Sequence, residues 1–281
     1  MTLRRYPQRI AHAYGNTRER LRTALESDID AIEVDVWSRA DQIWVRHERR
    51  LEPLPLLVDK RMRGHALPPF SLPLGKRLYV RLDINRLTLS EVLETVAGTK
   101  GLLIDLKGAY RGRENREFAR TLVRTIRDHE AEGWVSVCGQ FWPALEDVQK
   151  EAPELQVRYS VEKVYQWEKF MRMVRDDNLV RRVCIEHRFM NEERALFLKQ
   201  RGVSVFCWTV DGREEARRLA AAGVDGIISN DLGILAELRT GAPVGNQMAL
   251  VPFEQAPASA ATVGDEMYGG GLEGGEDRSA G

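Results

Sequence analysis

Ile10-Ala11-His12-Ala13-Tyr14-Gly15-Asn16-Thr17, then Ala31-Ile32-Glu33-Val34-Asp35-Val36, then Ile43-Trp44-Val45-Arg46-His47 are the segments around which the chain is organised. In residues 32–36 apolar side chains alternate with two carboxylates. A strand there sends Glu33 and Asp35 to one face and Ile32, Val34 and Val36 to the other. Paired acids with an apolar reverse face point to a cation site. His12 and His47 each close a short apolar run, where a strand gives way to a loop, and α/β barrels keep their chemistry at such positions. Singly, these residues read as well as a packing histidine or the solvated face of an edge strand. Their co-occurrence is what points to a site.

Outward from these segments the pattern repeats. Strands are expected at Arg9–His12, Ala31–Val36, Gly101–Leu106, Trp134–Cys138, Gln156–Ser160, Val183–Ile185, Val203–Trp208 and Gly226–Ser229. Helical spacing follows each, near 18–26, 88–96, 113–129, 143–151, 164–175, 191–201, 212–222 and 231–239, the first capped by Asn16-Thr17. Eight such alternations imply a parallel sheet closed into a (β/α)8, or TIM, barrel. An open doubly wound sheet is the alternative, but neither G-x-G-x-x-G nor a phosphate-loop sequence supports it. On the third strand, alternation places Asp105 and Lys107 on one side.

The chain has 281 residues and a barrel takes about 250, so one barrel over residues 1–241 with a tail over 242–281 is the simplest partition. The tail is rich in Gly, Ala and acidic residues and is expected to be disordered. Between His47 and the segment at Thr88, the connection 48–87 contains five prolines and several cations, a composition that speaks against regular structure and suits a lid. Lys plus Arg equals Asp plus Glu at 42 each, so no global field draws in nucleic acid or an anionic membrane. No signal-peptide core and no run of about 20 apolar residues is present, so a cytoplasmic protein without a transmembrane segment is expected. Cys138, Cys184 and Cys207 lie in three different apolar runs and read as buried thiols.

His12, Glu33-x-Asp35 and His47 together resemble the H-R…E-x-D…H signature of glycerophosphodiester phosphodiesterases. Leu87 to Leu93 is similar to that family's P-T-L-E-E-V-L segment, Ile104-Asp105-Leu106-Lys107 to its E-I-K strand, and Trp208-Thr209-Val210 with Ala222 to Ser229 to its closing block. The resemblance covers roughly residues 9–238. It implies a barrel phosphodiesterase with one divalent cation, Mg2+ or Ca2+, on Glu33, Asp35 and Asp105. It also implies His12 and His47 as the acid/base pair and Lys107 facing the phosphate. The all-oxygen donor set independently favours a hard cation over zinc.

Two departures matter. Ala13 stands where the family carries Arg, and the segment from His12 to Asn16 is short. The sphingomyelinase D type of phospholipase D, in the same superfamily, also lacks that Arg, and its D-L-K and W-T-V-D resemble Asp105–Lys107 and Trp208–Asp211; the Cys-rich loop of the spider-venom enzymes is missing here. Three readings follow: a metal-dependent phosphodiesterase acting on glycerophosphodiesters or lysophospholipid-type diesters, a phospholipase D acting on lysolipid or sphingolipid, and a catalytically silent barrel that binds a phosphorylated ligand. Both histidines, three acids and Lys107 are retained, which argues against silence. Trp208 reads as a pocket floor or as core, and Gln140, Glu186 and His187, just past strands, as rim candidates for substrate binding. Transient membrane contact is compatible with a lysolipid substrate; the oligomeric state is not legible.

Overall fold

The computed structural model describes residues 6–39, 41–51, 53–60, 67, 70–83, 87–176 and 180–240. The tail expected at 242–281 lies outside the described residues, as do Arg61, Arg63, Pro68 and Pro69 of the long connection. The barrel strands are β1 (Gln8–Ala11), β2 (Ala31–Arg39), β3 (Gly101–Leu106), β4 (Val135–Gly139), β5 (Gln156–Val161), β6 (Arg182–Glu186), β7 (Ser204–Trp208) and β8 (Gly226–Ser229). Every neighbouring pair is parallel, and β1 pairs with both β2 and β8, so the sheet closes as expected. The helices are α1 (Arg18–Glu26), α2 (Leu89–Val96), α3 (Arg113–Asp128), α4 (Trp142–Glu151), α5 (Val164–Arg175), α6 (Glu192–Gln200), α7 (Arg213–Ala221) and α8 (Leu232–Thr240), one after each strand.

Strand alternation divides the apolar residues into two layers. Ile32, Val34, Leu102, Ile104 and their equivalents face the helices in one continuous cluster, where burial of each large side chain contributes about 1.5–3 kcal/mol. Ile10, Ala31, Leu103, Cys138, Cys184, Phe206 and Ile228 fill the barrel interior. The three thiols are free and buried. Gly226 makes room for that interior, since a Cβ there would lie 2.4 Å from Phe206 Cδ1.

The long connection departs from expectation. β2 runs past the barrel rim, and Trp37–Arg39 pair antiparallel with a strand at Gln42–Val45, which in turn pairs with Leu87–Thr88. Between these, Arg49–Arg50, Leu56–Lys60, Leu78–Leu82 and Ser71–Leu74 form, in that spatial order, a four-stranded antiparallel sheet. Composition misleads here because the prolines avoid the ladder's centre. Pro53 and Pro55 lie between strands, and Pro73 is on the edge strand, where a missing N–H is tolerated. Leu57 and Tyr79 anchor the inner side, with Arg81 Nε donating to Glu48 Oε1 at 2.6 Å and Arg50 paired with the buried Asp83.

Candidate active site

Inward alternation collects the candidate residues at the C-terminal mouth of the barrel. Asp35 and Asp105 are register partners on β2 and β3, and Glu33 sits one inward position below Asp35. Carboxylate oxygens of Glu33, Asp35 and Asp105 lie within 4.8 Å of one another. Lys107 Nζ is 2.8 Å from Asp35 Oδ1 and also pairs with Asp105.

The turn after β1 is laid on top of β2. Gly15 permits this approach, because a Cβ there would be 2.6 Å from Val34 Cβ. Ala13 takes a left-handed conformation (φ 56°), and its N–H donates to Glu33 Oε2 at 2.5 Å. Asn16, expected to help cap α1, instead clamps Asp35. Its Nδ2 donates to Asp35 Oδ2 at 2.5 Å and its Oδ1 accepts from Asp35 N at 2.9 Å, while Thr17 alone caps the helix.

Each histidine is oriented by a partner that composition did not mark. Asn230, just past β8, gives its Nδ2 to Asp211 Oδ2 at 2.8 Å and so turns its Oδ1 to His12 Nδ1 at 2.9 Å. The proton of neutral His12 is therefore on Nδ1, and Nε2, 4.0 Å from Glu33 Oε2, keeps its lone pair. His47 is brought back beside Asp35 by the antiparallel run, with Arg46 N donating to Asp35 O at 3.0 Å. Its Nδ1 donates to Asp59 Oδ2 at 2.5 Å, from the inserted sheet.

Electrostatics separate the two rings. Burial lowers His12, overriding the nearby Asp35 charge. The Asp59 hydrogen bond raises His47 above the ordinary 6.5 despite partial burial. Among the acids, burial and then the Asp35 and Asp105 charges push Glu33 well up. Burial also raises Asp105, against the pull of Lys107. Burial opposes ionisation of Asp35 too, but Lys107 and the histidines outweigh it and hold Asp35 at about 2. Three crowded oxygen donors with one ammonium leave a deficit of positive charge, and a hard divalent cation fits that donor set.

The rim candidates are placed differently. Trp208 ends β7 opposite Glu186 on β6, its ring packed on the interior cluster and its Nε1 buried without a hydrogen-bond partner among the described residues. Glu186 is buried, with Oε1 accepting from Arg188 Nε at 2.7 Å. His187 is turned to α7, its Nδ1 3.0 Å from Glu215 Oε1. Gln140 is exposed past β4, its carbonyl accepting from Gln166 Nε2 at 3.5 Å. Thus the structure joins His12, Glu33, Asp35, His47, Asp105 and Lys107 in one cluster, while His187 and Gln140 make their contacts elsewhere.

A closed (β/α)8 barrel whose mouth holds clustered carboxylates, a lysine and two oppositely tuned imidazoles has the acid–base equipment of a barrel hydrolase. Comparison with known proteins narrows this. The profile of the glycerophosphoryl diester phosphodiesterase family matches residues 4–234. A Caldanaerobacter subterraneus glycerophosphodiester phosphodiesterase is 28% identical over 234 residues, covering 77% of this chain and 88% of that protein. The structure of an Oleispira antarctica phosphodiesterase in complex with the product sn-glycerol-3-phosphate superposes with a TM-score of 0.60 at 20% identity, covering 82% of this chain and 96% of that one. That of the Thermotoga maritima glycerophosphodiester phosphodiesterase gives 0.59 at 17%, covering 83% and 98%. The chain belongs to the glycerophosphoryl diester phosphodiesterase family and is a phosphoric diester hydrolase.

Proposed function

We propose that this enzyme hydrolyses glycerophosphodiesters with one divalent cation, Mg2+ or Ca2+, held by Glu33, Asp35 and Asp105, and with His12 as general base and His47 as general acid. The observation that carries this reading is the carboxylate cluster flanked by two imidazoles, His12 oriented by Asn230 and His47 by Asp59, whose pKa values are displaced in opposite directions. The bound cation would neutralise charge on the phosphate. His12, whose neutral form burial favours and whose Nε2 keeps its lone pair, accepts the nucleophile's proton; His47, whose protonated form the Asp59 hydrogen bond favours, delivers one to the leaving oxygen. Lys107 holds Asp35 ionised and adds positive charge beside the phosphate. Three buried free thiols support a reducing, cytoplasmic setting, and no helix among the described residues is long and apolar enough to cross a membrane.

A second reading, cleavage of lysolipid or sphingolipid in the manner of a phospholipase D, draws on Ala13, whose backbone N–H points at Glu33 where the family places a phosphate-facing Arg. The test is release of sn-glycerol 3-phosphate from glycerophosphocholine and glycerophosphoethanolamine, against choline release from lysophosphatidylcholine, each with and without chelator. Glycerol 3-phosphate release that chelator abolishes and either cation restores is the expected result. Turnover untouched by chelator would overturn the cation site, and choline release from lysolipid alone would favour the second reading.

A further inference from the structure

The inserted sheet has a second face that the site does not use. Register places Leu56, Val58, Leu72, Leu74, Leu78, Val80 and Leu82 on its outer side, opposite the inner Leu57, Asp59, Tyr79 and Arg81. Leu72 is 73% exposed and Leu74 50%, while most other large apolar side chains among the described residues are buried. Scattered exposed leucines are ordinary, but a contiguous apolar sheet face marks an interaction surface.

We propose that this face docks on an anionic lipid bilayer. Charge selects that occupant. Residues 49–82 carry eight Lys and Arg against two acids, in a chain of zero net charge. Arg49 and Lys60 lie on the same outer face, paired with Val58 and Leu78, and Lys76 and Arg77 occupy the turn joining the two leucine-bearing strands. All four are exposed, and no ion pair is made by Lys60, Lys76 or Arg77 among the described residues, whereas the inward Arg50 and Arg81 are paired. An apolar centre with a cationic rim matches the interface between acyl chains and anionic headgroups. A second copy fits less well, because a two-fold contact brings the cationic rims together and Pro73 interrupts the free edge of Ser71–Leu74. The face is the reverse of the one that carries Asp59 and holds His47, so docking leaves the catalytic groups uncovered.

The inference goes beyond the reaction chemistry and does not depend on which diester is cleaved. The full-length protein is sedimented with vesicles of phosphatidylcholine, alone or mixed with phosphatidylglycerol, at low and high salt. Binding to the anionic vesicles, weakened by salt, is expected. Each cation near such a surface contributes about fivefold in partitioning, so Lys76→Glu with Arg77→Glu should weaken binding by at least about 25-fold, and Leu72→Asp with Leu74→Asp should abolish it. Turnover of soluble glycerophosphocholine should be unchanged in both, which separates failure of docking from failure of the catalytic reading. No binding to anionic vesicles, or binding indifferent to both double variants, would overturn the proposal. So would concentration-dependent dimerisation that the leucine variants remove.

Discussion

Replacing Lys107 with Met tests how the carboxylate cluster is held together. The ammonium lies 2.8 Å from Asp35 Oδ1 and pairs with Asp105, and the Asp35 side chain has no exposure at all. Removing one member of a buried pair costs about 3–5 kcal/mol, because the partner charge stays behind without compensation. For a domain of this size each kcal/mol moves Tm by about 2–4 °C, so the cation-free variant is expected to melt about 6–20 °C lower. Protonation offsets part of the loss. Glu33 and Asp105 are raised above their ordinary 4.5 and 3.8 in the folded protein. Their contribution is present below those ordinary values and is lost as pH rises through the folded ones. The deficit should therefore be larger at pH 8 than at pH 5. A divalent cation at about 100 times its Kd stabilises by about 2.7 kcal/mol, and should return much of the difference at pH 8. Thermal unfolding at both pH values, with chelator or cation, reads all of this. A variant as stable as its parent at pH 8 in chelator would refute the reasoning.

Other expectations follow from the same geometry. His12→Ala and His47→Ala should each lower kcat by about 10²–10⁴-fold, and the double variant by less than the product, since groups acting as a unit are not additive; steady-state kinetics of the three variants decides it. Asp59→Asn removes the hydrogen bond that raises His47, so the alkaline limb of the kcat/KM profile should move to lower pH while the acidic limb, set by His12, stays in place. An unmoved alkaline limb would detach His47 from the acid role. Asn16→Ala frees Asp35 from its clamp and should weaken cation binding by about 10–100-fold in a calorimetric titration, with the barrel still folded.

The barrel was legible because its strands are short apolar runs in regular alternation with amphipathic helices, and β3 (Gly101–Leu106) and β8 (Gly226–Ser229) begin and end where the pattern placed them. The carboxylates were legible for the same reason: Glu33, Asp35 and Asp105 are the charged members of otherwise apolar strands, and period two sends them inward. The inserted sheet was not. Its strands pair antiparallel through a non-local ladder, and the prolines between them and on the edge resemble those of an irregular loop. Asn230 lies in a loop and carries no period, Asp59 sits on a strand of the sheet that the prolines disguise, and Asp211 is marked only as the end of the Trp208–Asp211 segment, with nothing in the sequence to tie it to His12. Asn230 had one usable signal, its place directly after a barrel strand. Asn16 was noticed for a local role, whereas its side chain reaches Asp35, 19 positions away.

His12 and His47 are mounted on different supports. His12 is tied through Asn230 and Asp211 to the closing strands of the barrel, whereas His47 is tied through Asp59 to the sheet appended at the rim. A small sheet of short strands can open locally at a lower free energy than a closed barrel, so the two supports are expected to differ in local stability. Opening the outer unit would carry off His47 while leaving the carboxylates and His12 in register. Amide exchange should then show residues 56–60 and 78–82 losing protection well before β1–β3. Catalytic competence would track the protection of the outer unit, and cation affinity that of the inner one.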